Sequence, residues 1–396
     1  MTVVPAPSVP GPHHHRLGAG ADVHVVVGTR PEAVKVAPVL LALRAAGRST
    51  CLVDTGQQPA RVREALAPFG LTPDVQLDIT RRDGGLAELT AVTVTAFDAH
   101  LSTDPPRLVL VQGDTTTAFT AALAAALRGV PVAHLEAGLR TGDRARPFPE
   151  EMNRVLLAGV ADVHLAPTPR ALAALLREGV PRERVLVTGN TVVDALEAML
   201  PALRAQPRPQ LAARPAGDRL LVVTVHRREA WGPGVRAVCA AVRTLLELHP
   251  DLRAVVVTHP NPAVAADVHG ALDGVDRATV VDPLPYDEVL ALLLHSDLLL
   301  TDSGGLQEEA PTLGLPVLVA RDTTERPEGV EAGWATMVGL DPTVIVAAAT
   351  AALAGTTATP RPGNPYGDGR AAARSAEAIG WFLDGSPRPQ EWTGPA

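Results

Sequence analysis

The sequence predicts two α/β domains, each a parallel sheet covered on both faces by helices. Apolar, β-rich runs alternate with helical patterns along the whole chain. The runs are continuously apolar rather than alternating, which marks strands buried on both faces. Finally, "TGNTVVDAL" and the Pro-rich "QPRPQLAARPAGD" (206–218) part the runs into two sets.

In the first set, "DVHVVV" (22–27) leads to a helix from about Pro31 to Ala46, and "RLVLVQ" (107–112) leads through "GDTTT" to an Ala-rich helix. "VPVAHL" (130–135), "DVHLAP" (162–167) and "RVLVTG" (184–189) follow. The second set is "RLLVVTVHR" (219–227), "RAVVVTH" (253–259), "ATVVDP" (278–283), "DLLLTDSGG" (297–305) and "PVLVAR" (316–321). A last helix, at about 369–386, comes after the turn "PGNPYGDG". The expected organisation is a disordered tail (1–21), a first domain (22–190) and a second domain (191–368). Such domains bind ligands at the C-terminal ends of their strands, so the cleft between them is the natural site.

Composition narrows the partners. The 396 residues suffice for two domains, and 46% apolar with 3% aromatic residues means a core of Ala, Val and Leu. A net charge of −8 argues against nucleic acid or an anionic membrane, so an anionic ligand must be met by local positive charge. Cys51 and Cys239 lie in apolar segments without metal-ligand spacing, as in a reduced, cytoplasmic protein, and no metal is expected. No apolar run approaches the roughly 18 residues of a membrane span. The N-terminal residues lack the charged and apolar regions of a secretory signal, and His13–His15 read as solvated tail. Of 35 basic residues, 34 are arginine and Lys35 alone is lysine. A GC-rich coding bias explains the arginines; the exception is either chance or a lysine set beside a bound anion.

Three carboxylates fall at or just after strand ends: Asp114 in "LVLVQGD", Glu136 in "VAHLEAG" and Glu150 in "PFPEEMNR". The ordinary reading is pairing with Arg140, Arg144 and Arg154; the chemical one is proton transfer. "VVVGTRPEAVK" sets Arg30 and Lys35 at a helix start suited to phosphate. In "LLLTDSGGLQEEA", Ser303, Gly304 and Gly305 allow close backbone approach to an anion, and Glu309 can face a ribose. Glu308 reads there as a simple complement to the helix dipole. "VTVHRRE" ends a strand with His226, Arg227 and Arg228, and "RDTTERPE" adds Arg326.

Together with "HLEAGLRTGDRARPFPEEMNR", "RDTTERPEGVEAG" and "NPYGDG", these motifs stand in one order across residues 28–369. In that combination the chain closely resembles the non-hydrolysing UDP-N-acetylglucosamine 2-epimerases. The resemblance implies a GT-B-like pair of Rossmann domains whose last helix crosses back to the first. It also implies a homodimer, no cofactor, and interconversion of UDP-GlcNAc and UDP-ManNAc through 2-acetamidoglucal and UDP. Matched motif by motif, Asp114, Glu136 and Glu150 are the catalytic carboxylates, and His226 lies near the departing phosphate. Arg30, Lys35 and Arg326 contact anions, Ser303, Gly304, Gly305 and Glu309 the nucleotide; Arg154 holds a carboxylate in place, and Glu151 is structural.

A GT-B glycosyltransferase using a UDP-sugar donor is the nearest rival, since its donor half looks much like 298–310. The three first-domain acids argue against it, and against a non-catalytic UDP-sugar sensor. The chain also departs from the family. Val289 stands where a Phe commonly packs near uracil. Of the motif that binds a second, activating UDP-GlcNAc, Gln57, Arg227 and His259 remain. Gln58 and Pro59 replace His and Arg, and Gly84 and Gly85 replace an Arg-Gln pair. A weak or absent activating site is expected.

Overall fold

The computed structural model describes residues 20–395, apart from Asp83, His226, Arg228, Glu229 and Ala358. His226, assigned above to the departing phosphate, and Arg228 therefore lie outside the described residues. The first half of the chain runs β1 (Val23–Val27), α1 (Arg30–Ala45), β2 (Thr50–Asp54), α2 (Pro59–Leu66), β3 (Val75–Gln76), α3 (Leu86–Thr103), β4 (Leu108–Gln112) and α4 (Thr116–Leu127). It continues through β5 (Val132–Leu135), α5 (Glu150–Val160), β6 (Val163–Ala166), α6 (Pro169–Arg177), β7 (Val185–Val187) and α7 (Thr191–Ala205).

The second half contains β8 (Arg219–Thr224), α8 (Pro233–Leu248), β9 (Leu252–Val257), α9 (Pro262–Leu272), β10 (Ala278–Val281), α10 (Tyr286–Leu293) and β11 (Leu298–Thr301). It ends with α11 (Gly304–Leu313), β12 (Val317–Val319), α12 (Pro327–Glu331), β13 (Ala335–Met337), α13 (Pro342–Leu353) and α14 (Ala371–Asp384). Among the described residues, no helix is long and apolar enough to cross a membrane.

Two parallel sheets result, in the orders β3-β2-β1-β4-β5-β6-β7 and β10-β9-β8-β11-β12-β13. The strand order reverses between β1 and β4 in one and between β8 and β11 in the other. A crevice opens at each such point, beyond the carboxyl ends of the strands. Buried Val, Leu and Ala side chains coat both faces of each sheet, which is why the runs read as continuously apolar. Three strands were not read from the sequence. β3 and β13 are short edge strands, and the β2 run is brief and carries Thr50 and Asp54 at its ends.

Helix α14 packs on α1 and α7, both belonging to the first half. Asp194 on α7 fixes its start, accepting from the backbone amides of Ala372 at 2.8 Å and Ala371 at 3.2 Å. The segment before it, Asn364–Gly367, is pinned by the Asn190 amide, which donates to the Tyr366 carbonyl at 2.8 Å. The chain thus leaves the second sheet and returns to the first along a line that passes directly by the cleft.

Candidate active site

The described candidate side chains come from the loops and helices that follow the strands' carboxyl ends. The β1–α1 turn is built by Glu32, which accepts from the amides of Gly28 (3.0 Å) and Thr29 (2.7 Å) and from the Thr115 hydroxyl. It joins the starts of α1 and α4. Burial, opposed by those hydrogen bonds, pushes the Glu32 carboxyl up to about 7. Sequence reasoning passed over Glu32, although Thr-x-x-Glu at a helix start is a capping signature.

One and a half turns into α1, Lys35 points into the cleft. Its Nζ donates to Glu136 Oε1 at 2.6 Å and to Glu308 Oε2 at 2.9 Å. Burial alone would lower the Lys35 pKa, but the two carboxylates outweigh it and the ammonium is held charged. Glu136 also accepts from the Gln112 side chain and from Asn190 Nδ2 at 3.3 Å. Burial pushes its carboxyl up against the pull of Lys35, and the charge of Glu308 adds to the rise. Its backbone φ is +65°, a left-handed conformation costing a non-glycine residue roughly 1–2 kcal/mol. Held by Lys35, Gln112 and Asn190, the side chain is aimed by the fold.

Glu308 corrects the sequence reading. The helix α11 starts at Gly304, so no acid lies in its first turn and Glu308 is not there to complement the dipole. Glu308 is buried and bridges Lys35 to Arg326, whose Nε donates to Glu308 Oε1 at 2.7 Å. The Arg326 guanidinium also bonds Glu325 and lies 3.6 Å from Glu136 Oε1. Gly304 makes room for it, because a Cβ there would sit 2.3 Å from Arg326 Nη1. The "NPYG" motif supports this pair from behind. Asn364 Nδ2 donates to the Glu308 carbonyl at 2.8 Å, and the Tyr366 hydroxyl donates to the Arg326 carbonyl at 3.0 Å.

Arg154, on α5, ties Asp114 to the same network. Its Nη2 lies 2.6 Å from Asp114 Oδ2, its Nη1 donates to Glu151 Oε2 at 2.7 Å, and Glu325 Oε1 is 3.6 Å away. Glu151 also accepts from the amides of Thr141 (3.0 Å) and Gly142 (2.9 Å), so it braces the loop before α5. Burial would raise Asp114, yet Arg154 and Arg326 hold it below the usual carboxylate range. Its neighbour Glu150, first residue of α5, moves the other way. Burial and the charge of Asp114 push it up, and its Oε2 is buried without a hydrogen-bond partner. Two neighbouring acids are thus shifted in opposite directions, as in a pair with separate acid and base roles.

Glu325 was not singled out in the sequence. Buried in the loop after β12, it faces Arg326, Arg154, Arg321 (2.9 Å) and Arg227 (3.9 Å), which together hold it far below its ordinary pKa. Beside it opens a cavity of about 300 Å³ lined by Arg146, Arg227, Arg321, Asp302 and Asp322. The Arg227 amide donates to Asp302 Oδ2 at 2.7 Å. Arg30, at the start of α1, reaches the Leu284 carbonyl at 3.3 Å. Ser303 sits at the N-cap of α11 with no side-chain capping bond. About a turn and a half into α11, Glu309 accepts from the Tyr286 hydroxyl at 2.9 Å, and burial lifts it to about 7.

Gln57, Gly84, Gly85 and His259 belong to other loops. Gln57 accepts from the Thr117 hydroxyl at 2.5 Å; His259 Nδ1 accepts from the Asn261 amide at 3.0 Å and its ring lies beside Trp231.

A stability test follows for Gly304. Gly304→Ala drives a methyl into Arg326 and should lower unfolding stability by about 1–3 kcal/mol, the usual cost of overpacking. Gly305→Ala meets only Glu309 Oε1 at 4.0 Å and should be neutral or slightly stabilising in its helix. Urea unfolding midpoints that ranked the two variants the other way would contradict this packing.

A family model described as UDP-N-acetylglucosamine 2-epimerase matches residues 41–380. A Yersinia pestis UDP-N-acetylglucosamine 2-epimerase is 43% identical over 369 residues, covering 90% of this chain and 98% of that one. The crystal structure of the Neisseria meningitidis UDP-GlcNAc 2-epimerase bound to UDP-GlcNAc superposes with a TM-score of 0.85 at 36% identity, covering 90% and 99% of the two chains. The spinosyn rhamnosyltransferase SpnG, 18% identical with a TM-score of 0.51 over 93% and 97%, shares the fold alone. The two facing parallel sheets are thus a GT-B-like architecture, and the chain belongs to the UDP-N-acetylglucosamine 2-epimerase family.

Proposed function

We propose that this enzyme interconverts UDP-GlcNAc and UDP-ManNAc without hydrolysis, in the cleft between a first domain (22–190) and a second (191–368). The C2 proton is removed as the C1–O bond breaks, giving 2-acetamidoglucal and UDP. UDP then re-adds at C1 while a proton is delivered to the opposite face of C2. Electrons are conserved throughout, so the route needs no redox partner. The observation that carries this reading is the Asp114–Glu150 pair, shifted in opposite directions beside cations from both domains. Inverting a carbon needs two acid/base groups in different protonation states.

Glu150, with a raised pKa and an unpartnered oxygen, is the group best prepared to exchange a proton. Asp114, held ionised by Arg154, supplies the complementary charge; Glu136, locked by Lys35, Gln112 and Asn190, is the third acid. Departing UDP gains negative charge, which Lys35, Arg30 and Arg326 are placed to offset. The α11 N-terminus at Ser303, Gly304 and Gly305 would take the diphosphate, Glu309 the ribose, and His226 the leaving phosphate. The remnants Gln57, Arg227 and His259 make a weak second site, since the glycines at 84 and 85 cannot supply the missing arginine.

Two copies would pair through the apolar side chains that adjoining helices α3, α4 and α5 leave in solvent. Leu127 is 72% exposed, and Leu86, Val155 and Leu156 about 40%. Exposed apolar side chains on neighbouring helices are where such a surface would form.

The direct test is NMR of UDP-GlcNAc incubated with the pure protein in D₂O, where deuterium should appear at C2 of both epimers. Asp114→Asn, Glu136→Gln and Glu150→Gln should each cut turnover by about a hundredfold or more. Near-normal turnover in all three would remove the assignment, and transfer of the sugar to an acceptor would favour the glycosyltransferase reading. Losing one charge-assisted arginine contact costs about 1.5–3 kcal/mol, roughly ten- to a hundredfold in affinity. UDP-GlcNAc saturation should therefore be close to hyperbolic, with UDP-ManNAc converted back unaided; strong sigmoidality would mean the second site is intact. Sedimentation should give twice the 41.2 kDa chain mass, and Leu127→Glu with Leu156→Glu should return it to one. A wild-type chain sedimenting at its single mass would remove the dimer.

A further inference from the structure

Far from the cleft, the opposite end of the first sheet gathers another set of reactive side chains. His24 and Cys51 are direct register partners on β1 and β2. Side chains alternate along a strand, so both face the layer of α3, where Cys51, Val26 and Val53 pack with Phe97 and Leu101. His100 and Asp104 lie four residues apart at the end of α3 and share its face. One ligating atom from each of the four lies within 4.8 Å of the others.

The polar atoms in this group are poorly satisfied. His24 is 0% exposed, and neither its Nδ1 nor its Nε2 has a hydrogen-bond partner. Its Nε2 stands 3.4 Å from Asp104 Oδ2, a long contact, and the buried Nε2 of His100 is unpartnered. The two imidazoles stack with centroids 5.0 Å apart. Burying such groups without partners opposes folding, so a ligand that engages them would be favoured.

We propose that His24, Cys51, His100 and Asp104 form a structural zinc site. Two imidazole nitrogens, a thiolate and a carboxylate suit Zn²⁺ and disfavour Mg²⁺ or Ca²⁺, which take oxygen ligands. Thiolate and carboxylate together cancel the ion's charge, so the complex is neutral within an apolar layer. Four protein ligands close the coordination sphere, which marks a structural rather than a catalytic centre. With Zn–N near 2.0–2.1 Å and Zn–S near 2.3 Å, tetrahedral ligand atoms sit about 3.3–3.7 Å apart. The group must therefore contract by about 1 Å at its widest, a movement within reach of His100 and the half-exposed Asp104. On binding, the Cys51 thiol gives its proton to solvent and the sulfur–zinc bond replaces the S–H bond. The ion would clip the N-terminal ends of β1 and β2 to α3, while the proposed chemistry lies beyond the strands' other ends.

The test must separate this site from the histidines of the tail, so it uses the full chain carrying His13→Ala, His14→Ala and His15→Ala. Titrated with Co²⁺, that protein should take up one ion per chain and show tetrahedral d–d bands with a thiolate-to-cobalt charge-transfer band; Zn²⁺ should displace the cobalt. Cys51→Ser should abolish the charge-transfer band. It should also weaken zinc binding by more than the roughly 10- to 100-fold that loss of a supporting contact costs a metal site. Asp104→Ala, at a half-exposed helix end, provides a second variant expected to fold and to lose affinity. Epimerase turnover should be unchanged in both. A folded, tail-substituted chain that takes up no stoichiometric metal would overturn the proposal. So would a charge-transfer band that survives Cys51→Ser, which would place the ligand at Cys239.

Discussion

The structure turns on a buried chain of charges running across the cleft. Glu136, Lys35, Glu308, Arg326, Glu325, Arg154 and Asp114 follow one another with opposite signs at each step. Lys35, Glu136, Asp114 and Arg154 come from the first sheet's half of the chain, Glu308, Glu325 and Arg326 from the second. Charges taken out of water are costly unless paired and hydrogen-bonded, so each partner constrains the next. Removing one member would strand the charge beside it. That dependence explains why so much of the surrounding backbone is committed to support: Asn364 and Tyr366 hold the backbone of Glu308 and Arg326, while Glu32 and Glu151 hold the segments that lead into the helices carrying Lys35 and Arg154.

Within this chain, the shift of each carboxylate is set by the balance between its burial and the charges and hydrogen bonds it meets. Glu325 faces four arginines and stays ionised; Asp114 is held low by two. Glu150, near the same cations but beside Asp114 and with an oxygen left unpartnered, goes up. Glu309, which leans on a tyrosine hydroxyl, rises to about 7. A single cleft therefore contains both carboxylates held below their ordinary range and carboxyls raised above it.

How far this was legible in the sequence depends on distance along the chain. Strands buried on both faces announce themselves as local apolar runs, so the two sheets could be read directly; the short edges β3 and β13 lack the length to do so. Strand-end residues such as Asp114, Glu136 and Lys35 could be picked out because the βα turn is also local. Glu308 and Glu325 could not. Glu308 meets Lys35 from 273 residues away, and Glu325 meets Arg154 from the other half of the chain, pairings that only the packing of the two sheets creates. Glu308 thus looked like an ordinary helix acid. The His24–Cys51 neighbourhood is hidden for the same reason, because parallel register rather than spacing joins two residues 27 positions apart.

The same network accounts for the chain's one lysine. Elsewhere arginine serves, and at 326 its fork is needed, since Nε meets Glu308, Nη1 meets Glu325 and Nη2 approaches Glu136. Position 35 poses a different problem. There a single point must lie 2.6 Å from one carboxylate and 2.9 Å from another, within a buried space already bordered by the Arg326 guanidinium. An ammonium is compact and can direct its three protons to partners on different sides; a planar guanidinium is wider and fixed in its directions. Coding bias can replace lysine wherever a cation merely needs to be present. At the junction of Glu136 and Glu308 the shape of the cation matters as much as its charge, and there the replacement stops.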